Sequence, residues 1–213
     1  MPRHRSVVAG ALAAVLAATV PAGAGGIAGV FDFYVMALSW SPAYCAGDDP
    51  DPVQCGVARG FVVHGLWPQY EHGWPDYCPS DRPRDLDPST LAAATDIFPS
   101  QSLADYEWRR HGMCSGLAAE AYFALTRAAA ERLVVPPTFA AGETPSRLSP
   151  GRIEAAFVEA NPGLSRTGLS VQCRDGVLTE VRVCLTKDLT FRPCLEVDAD
   201  RCRARSIGIV PID

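Results

Sequence analysis

The chain has 213 residues, 48% of them hydrophobic and 20% charged, with eight cysteines. That balance excludes a disordered or collagen-like chain and supports a sizeable core in one domain. A formal net charge of −5, from 24 acidic and 19 basic side chains, excludes a generally cationic surface. Any contact with a polyanion therefore rests on a local patch such as Arg109-Arg110.

Arg3, His4 and Arg5 precede a small and apolar run from Val7 to Val20, which leads into Ala22-Gly23-Ala24. These are the three parts of a secretory signal peptide, and cleavage is expected after Ala24. The run is too short for a comfortable bilayer span and no other stretch rivals it. The mature chain, residues 25–213, is therefore expected to be a single soluble domain, secreted or periplasmic, monomeric and without a membrane anchor. All eight cysteines lie in that part, and in an oxidising compartment they read as four disulfides among about 105 possible connectivities. Spacing suggests Cys45 with Cys55 across a Gly, Asp and Pro-rich loop. Cys173, Cys184, Cys194 and Cys202 form a C-terminal cluster, which leaves Cys78 for Cys114. A zinc site is disfavoured because no Cys-x-x-Cys or His-x-x-x-His spacing occurs.

Phe31 to Trp40 is aromatic and apolar, ends at Ser41-Pro42 and reads as a buried strand. Residues 41–56 read as a loop. Val57 to Val63 is a second strand, expected to stop at His64-Gly65, where a side chain would have rigid support and an open side. Residues 68–88, rich in proline, form an irregular surface segment. Asp87-Pro88-Ser89 caps a short helix over Thr90 to Asp96, and a further helix runs from Ser102 to His111, ending at Gly112. That places Glu107 and His111 four apart, on one helical face. Leu117 to Leu133 is helical by spacing, Ser149-Pro150 starts another helix that stops at Asn161-Pro162-Gly163, and Asp175-Gly176 joins Leu169 to Arg174 with Val177 to Leu185 as a hairpin. The fold class is α+β, with an antiparallel central sheet, helices packed on it and disulfide support.

Two histidines facing one reacting group suit proton transfer, one accepting and the other donating. His64 and His111 are the candidates, with Glu107 able to hold or orient the second imidazole. Arg109 and Arg110 add fixed positive charge suited to a phosphodiester, and Trp67 and Trp108 offer faces for packing or base stacking. Each residue also has a plain reading. A histidine at an apolar strand end is commonly structural, a Glu four before a His is commonly a surface pair, and the tryptophans are commonly core. His72 lies in a Pro and Gly-rich loop and reads as solvated. Cys114 beside His111 has the form of a nucleophile, but the even cysteine count favours a bridge.

His64-Gly65-Leu66-Trp67-Pro68 and Glu107-Trp108-Arg109-Arg110-His111-Gly112-Met113-Cys114 closely resemble the two active-site segments of the ribonuclease T2 family of secreted or vacuolar endoribonucleases. The likeness extends to Phe31 to Tyr34, Ser39 to Cys45, Gly73-Trp74-Pro75 with Cys78, Val171 to Gly176 and Arg192-Pro193-Cys194. The resemblance implies cleavage of single-stranded RNA through a 2′,3′-cyclic phosphate to a 3′-phosphate, with neither metal nor cofactor. His64 would be the base on the 2′-hydroxyl and His111 the acid for the leaving 5′-oxygen. DNA would not be cleaved, since the nucleophile is the 2′-hydroxyl. Glu107 would stabilise the pentacoordinate phosphate, and Trp67, Arg110, Tyr106, Trp40 and Gln69 would bind substrate. The resemblance further implies Cys173–Cys202 enclosing Cys184–Cys194. Arg110 stands where many members have Lys, Tyr106 where many have a phosphate-binding His, and Met113 where Thr is more usual. Two alternatives share these features: a catalytically silent binding or storage protein on the same fold, which has no need for His64, Glu107 and His111 together, and a toxin with the same chemistry.

Overall fold

The computed structural model describes residues 25–212; the expected signal peptide lies outside them. The aromatic and apolar stretch expected as a buried strand becomes strand β1 (Phe33–Trp40), buried along nearly its whole length. A strand flanked and covered on both faces reads as a continuous apolar run. Its neighbours are β2 (Phe61–Gln69) and β5 (Val177–Leu185), both antiparallel to it.

Between β1 and β2 the expected loop instead contains helices α1 (Ser41–Cys45) and α2 (Pro52–Cys55). Proline in a first helical turn starts a helix because its missing N–H has no partner there, and the Asp51 carboxylate accepts from Val53 N at 2.8 Å. The second strand also departs from expectation. It starts later and continues past His64 to Gln69. Leu38 pairs with Val63 and Ala37 with Gly65, so His64 is the extra residue of a β-bulge. Pro68 fits inside β2 because this strand is the sheet edge.

Helices α3 (Pro88–Ala93), α4 (Gln101–Arg110) and α5 (Ala119–Glu131) follow. Asp87 caps α3 through Ser89 N and Thr90 N, and Ser100 caps α4 through Leu103 N, each one or two residues from the expected starts. The two-residue strand β3 (Arg147–Leu148) precedes α6 (Pro150–Ala160), which begins at the Ser149 cap and ends at Asn161. Strand β4 (Leu169–Arg174) forms the predicted hairpin with β5. Asp175 and Gly176 at the turn both have positive φ, 52° and 76°, as a tight two-residue hairpin requires.

Helix α7 (Leu195–Ala199) and the short strand β6 (Ile207–Gly208) complete the fold. The sheet order is β2-β1-β5-β6-β3, with β4 on β5. The sheet is mixed, not wholly antiparallel: Val177 and Gly208 pair in parallel. The reason is the tail's route. Cys202 N bonds Val171 O at 2.7 Å and Cys202 is bridged to Cys173, which starts the tail beside β4 and leads it round the hairpin.

Alternate residues of β1 serve different cores. Tyr34, Met36, Leu38 and Trp40 cluster with Leu66, Trp108, Tyr122, Phe123 and Phe157 under the helices, each large apolar side chain contributing roughly 1.5–3 kcal/mol. Phe33 and Val35 face the other way, toward the Cys184–Cys194 bridge, Trp67 and Val197. The bridges formed are Cys45–Cys55, Cys78–Cys114, Cys173–Cys202 and Cys184–Cys194. The last two fasten the chain on either side of α7. No helix among the described residues is long and apolar enough to cross a membrane.

Candidate active site

The second face of β1 floors a cleft of about 580 Å³ that is lined by His64, Trp67, Glu107 and His111, with Gln69, Tyr106 and Arg110 at its sides. β2 supplies His64 and Trp67, the last turn of α4 supplies Glu107 and Arg110, and its C-cap is His111. The Cys78–Cys114 bridge, together with the Tyr77 N to Arg110 O hydrogen bond of 2.8 Å, fastens the proline-rich segment to the end of α4.

His64 Nδ1 lies 2.5 Å from Glu180 Oε2, and its Nε2 lies 3.6 Å from Glu107 Oε1. Trp67 stands between the two imidazoles: its ring meets His64 edge-on and stacks on His111, each at a centroid distance of 5.2 Å. The Trp67 Nε1–H donates to Glu107 Oε2 at 2.7 Å. Glu107 therefore engages His64 and Trp67, not His111 as the helical spacing suggested. Its backbone carbonyl accepts the His111 N–H at 2.9 Å, while its carboxylate turns toward β2. Three buried side-chain atoms of cleft residues, Glu107 Oε1, Arg110 Nε and His111 Nδ1, have no hydrogen-bond partner.

These surroundings separate the charge states of the two histidines. Burial pushes His64 down, but its hydrogen bond to Glu180 and the charges of Glu180 and Glu107 outweigh that and raise its pKa. His111 is lowered to about 3, first by burial and then by the positive charges of Arg110 and His64. Burial raises Glu107 to about 7 against the opposing pull of His64 and the Trp67 hydrogen bond. Burial also acts upward on Glu180, yet its hydrogen bond to His64, that residue's charge and Arg182 hold it below the ordinary carboxylate range.

Other expected residues divide between the cleft and elsewhere. Arg110 sits 5.8 Å from the ring centres of both Tyr77 and Tyr106 and donates to the Tyr106 hydroxyl. Arg109 points away and pairs with Asp85 and Asp105, so only half of the expected basic patch faces the cleft. Trp40 is not a cleft residue. It is fully buried under the helices, its indole N–H donates to Val210 O at 2.8 Å, and it packs on Phe61 and Phe139. Strand alternation puts it on the opposite face of β1 from the site. Trp108 is likewise core, whereas His72 is exposed and contacts Glu196.

Glu180, Arg182, Trp74 and α7's Glu196 and Val197 also line or support the cleft without having been singled out from sequence. Glu180 left one signal: an acid amid the apolar residues of Val177 to Leu185. Among the described residues no group of three or more His, Cys, Asp or Glu side chains is arranged to hold a metal ion.

An α+β sheet thus brings two imidazoles and a buried carboxyl to one cleft, an arrangement suited to proton transfer. Comparison with known proteins gives the family. The Ribonuclease T2 family model matches residues 31–194. A ribonuclease of Aeromonas hydrophila is 38% identical over 170 residues, covering 78% of this chain and 76% of that protein. An RNase-related protein from Calystegia sepium superposes with a TM-score of 0.66 at 20% identity, over 85% of this chain and 97% of its own. RNase NT, solved in complex with 5′-AMP, gives 0.58 at 23% identity over 85% and 99%. The chain belongs to the ribonuclease T2 family, and that membership supports an endoribonuclease activity.

Proposed function

We propose that this protein is an exported, metal-independent endoribonuclease that cleaves single-stranded RNA by transphosphorylation. The observation that carries the reading is the pair His64 and His111 on either side of Trp67, both lining one cleft. The RNase NT complex shows a related fold that accepts a nucleotide.

The Glu180 carboxylate at His64 Nδ1, which favours the imidazolium, and the burial of His111, which favours the neutral ring, support roles opposite to those implied by the motifs alone. Neutral His111 takes the proton from the ribose 2′-hydroxyl. The 2′-oxygen attacks phosphorus, the P–O5′ bond breaks, and charged His64 gives its Nε2 proton to the departing 5′-oxygen. The products are a 2′,3′-cyclic phosphate and a free 5′-hydroxyl. Hydrolysis then runs with the roles exchanged: His64, now neutral, takes a proton from water, and His111 returns its proton to the 2′-oxygen, leaving a 3′-phosphate. Each proton transfer contributes about 10²–10⁴-fold. Below about pH 7 Glu107 is protonated, and with Oε2 engaged by Trp67 its Oε1 is free to donate to a phosphate oxygen. Arg110 holds the same charge at the rim. Activity therefore requires His64 charged and Glu107 protonated, and falls as pH rises past neutrality.

Separate H64A and H111A variants test both the reaction and the roles. Each loses at least about 100-fold on RNA. On a nucleoside 3′-(p-nitrophenyl) phosphate, whose leaving group needs no acid, H64A recovers and H111A does not. Near wild-type RNA cleavage by either folded variant rejects the mechanism.

A further inference from the structure

We propose that Glu180 is a positioning residue that fixes the tautomer and ring orientation of His64 and keeps its Nε2–H directed into the cleft. The inference rests on the reading of His64 as the proton donor and extends it to a residue outside both histidine motifs.

The geometry is built across three strands. Glu180 is on β5 and His64 on β2, with β1 between them, a separation of roughly 10 Å between the outer backbones. The two side chains meet because of two local features. The bulge turns His64 out of the regular pairing, and the face of β1 beneath it narrows from Phe33 and Val35 to Ala37 and Ser39. Ala37 is the register partner of Gly65 and Arg182, and Ser39 of Val62 and Glu180. Larger residues at Ala37 or Ser39 would occupy the space through which the imidazole and carboxylate approach.

A carboxylate in the middle of a sheet is costly unless its oxygens are engaged. Glu180 has a side-chain exposure of 9%, and both oxygens are taken: Oε2 faces His64 Nδ1 at 2.5 Å and Oε1 accepts from Arg182 Nε at 2.7 Å. Arg182 is in turn fixed by Asp200, just beyond α7, at 3.2 Å, and lies over the Trp67 ring. With Nδ1–H committed to Glu180, Nε2 is the nitrogen left for chemistry, the arrangement by which carboxylate–histidine pairs hold one tautomer. The titratable and charged groups facing His64 are Glu180 and Arg182 from β5, Glu107 from α4 and His111 at the C-cap of α4. Glu180 is the nearest of the acids, and its charge sustains the imidazolium.

The test compares Glu180→Gln with Glu180→Ala. Gln keeps an acceptor for Nδ1–H but removes the charge. In E180Q the alkaline limb of the pH dependence of kcat/KM is expected to move to lower pH, with kcat at acid pH near wild type. E180A is expected to lose about 10–100-fold in kcat with KM changed by less than about two-fold. In parallel, the His64 ring proton resonance, assigned by its loss in H64A, titrates at lower pH in E180Q than in the wild type. If the resonance and both limbs stay unmoved in folded E180Q, the proposal is overturned. Movement of the acid limb in place of the alkaline one supports the coupling and overturns the donor role of His64. If wild-type protein fails to cleave RNA, the enzymatic reading fails, and the resonance still decides whether Glu180 governs His64.

Discussion

Gly65 and Glu107 compete for the same volume: a Cβ placed on Gly65 would overlap the Glu107 carboxylate and the Trp67 indole nitrogen that donates to it. The constraint is space, not backbone conformation, since Gly65 is not among the glycines with positive φ. Gly65→Ala is therefore expected to separate Trp67 from Glu107, to cost about 1–3 kcal/mol in denaturant unfolding and to lower kcat. Gly151→Ala is the control. Its Cβ would first meet the Arg166 guanidinium at an ordinary 3.6 Å, so kcat should not change and stability should not fall, Ala being the better helix former in α6.

Glu107 and His111 pull stability in opposite directions with pH. Glu107 is raised from 4.5 to about 7, so the folded state binds the extra proton between those values. Its contribution is present below pH 4.5 and is lost as pH rises through 7. His111 is lowered from 6.5 to about 3, so its contribution is present above pH 6.5 and is lost as pH falls toward 3. Where the windows overlap, between 4.5 and 6.5, the two slopes oppose. Glu107→Gln removes one of them, and urea midpoints of that variant relative to wild type should improve as pH rises through the window, by on the order of 3 kcal/mol in total. A pH-independent difference would mean that Glu107 titrates normally.

The Cys78–Cys114 bridge spans 36 residues and ends three residues after His111. Loop closure of that length is worth about 4 kcal/mol to the folded state. Replacing both cysteines with Ala should lower the unfolding midpoint and also lower kcat, because the end of α4 loses its tie to the segment carrying Tyr77. The corresponding change at Cys45 and Cys55, a separation of 10 remote from the cleft, should cost about 3 kcal/mol and leave kcat unchanged. Equal effects on kcat would remove the special role of the first bridge.

What could be read from sequence was what neighbouring residues decide. The caps at Asp87, Ser100 and Ser149 and the Asp175-Gly176 turn are local hydrogen-bond and φ requirements, and each was visible within a few positions. The His64 bulge was not, because it is a mismatch in register between β2 and β1 and exists only once the strands pair. Glu180 was missed for the same reason: its partner lies two strands away. Trp40 was misplaced because an aromatic residue near a motif says nothing about which side of the strand it occupies. Arg109 and Arg110 looked equivalent as neighbours, yet a helix turns about 100° per residue, and this sends one to Asp85 and Asp105 and the other to the cleft.

The chemistry proposed for His64 and His111 depends on a 2′-hydroxyl and on no metal, and one substrate tests both. In a DNA oligonucleotide containing a single ribonucleotide, the attacking oxygen exists at one position only. Cleavage should occur solely on the 3′ side of that residue, leaving a cyclic phosphate that opens to a 3′-phosphate, and the all-deoxy strand should stay intact. Positive charge on the phosphate would come from Arg110 and the imidazolium of His64, both covalent parts of the chain, so EDTA should leave the rate unchanged. Mass spectrometry of the product ends reads the first expectation and initial rates read the second. Cutting of the all-deoxy strand would require water or another nucleophile in place of the 2′-oxygen, and loss of rate in EDTA would require an ion; either result would replace the two-histidine transfer with a different mechanism.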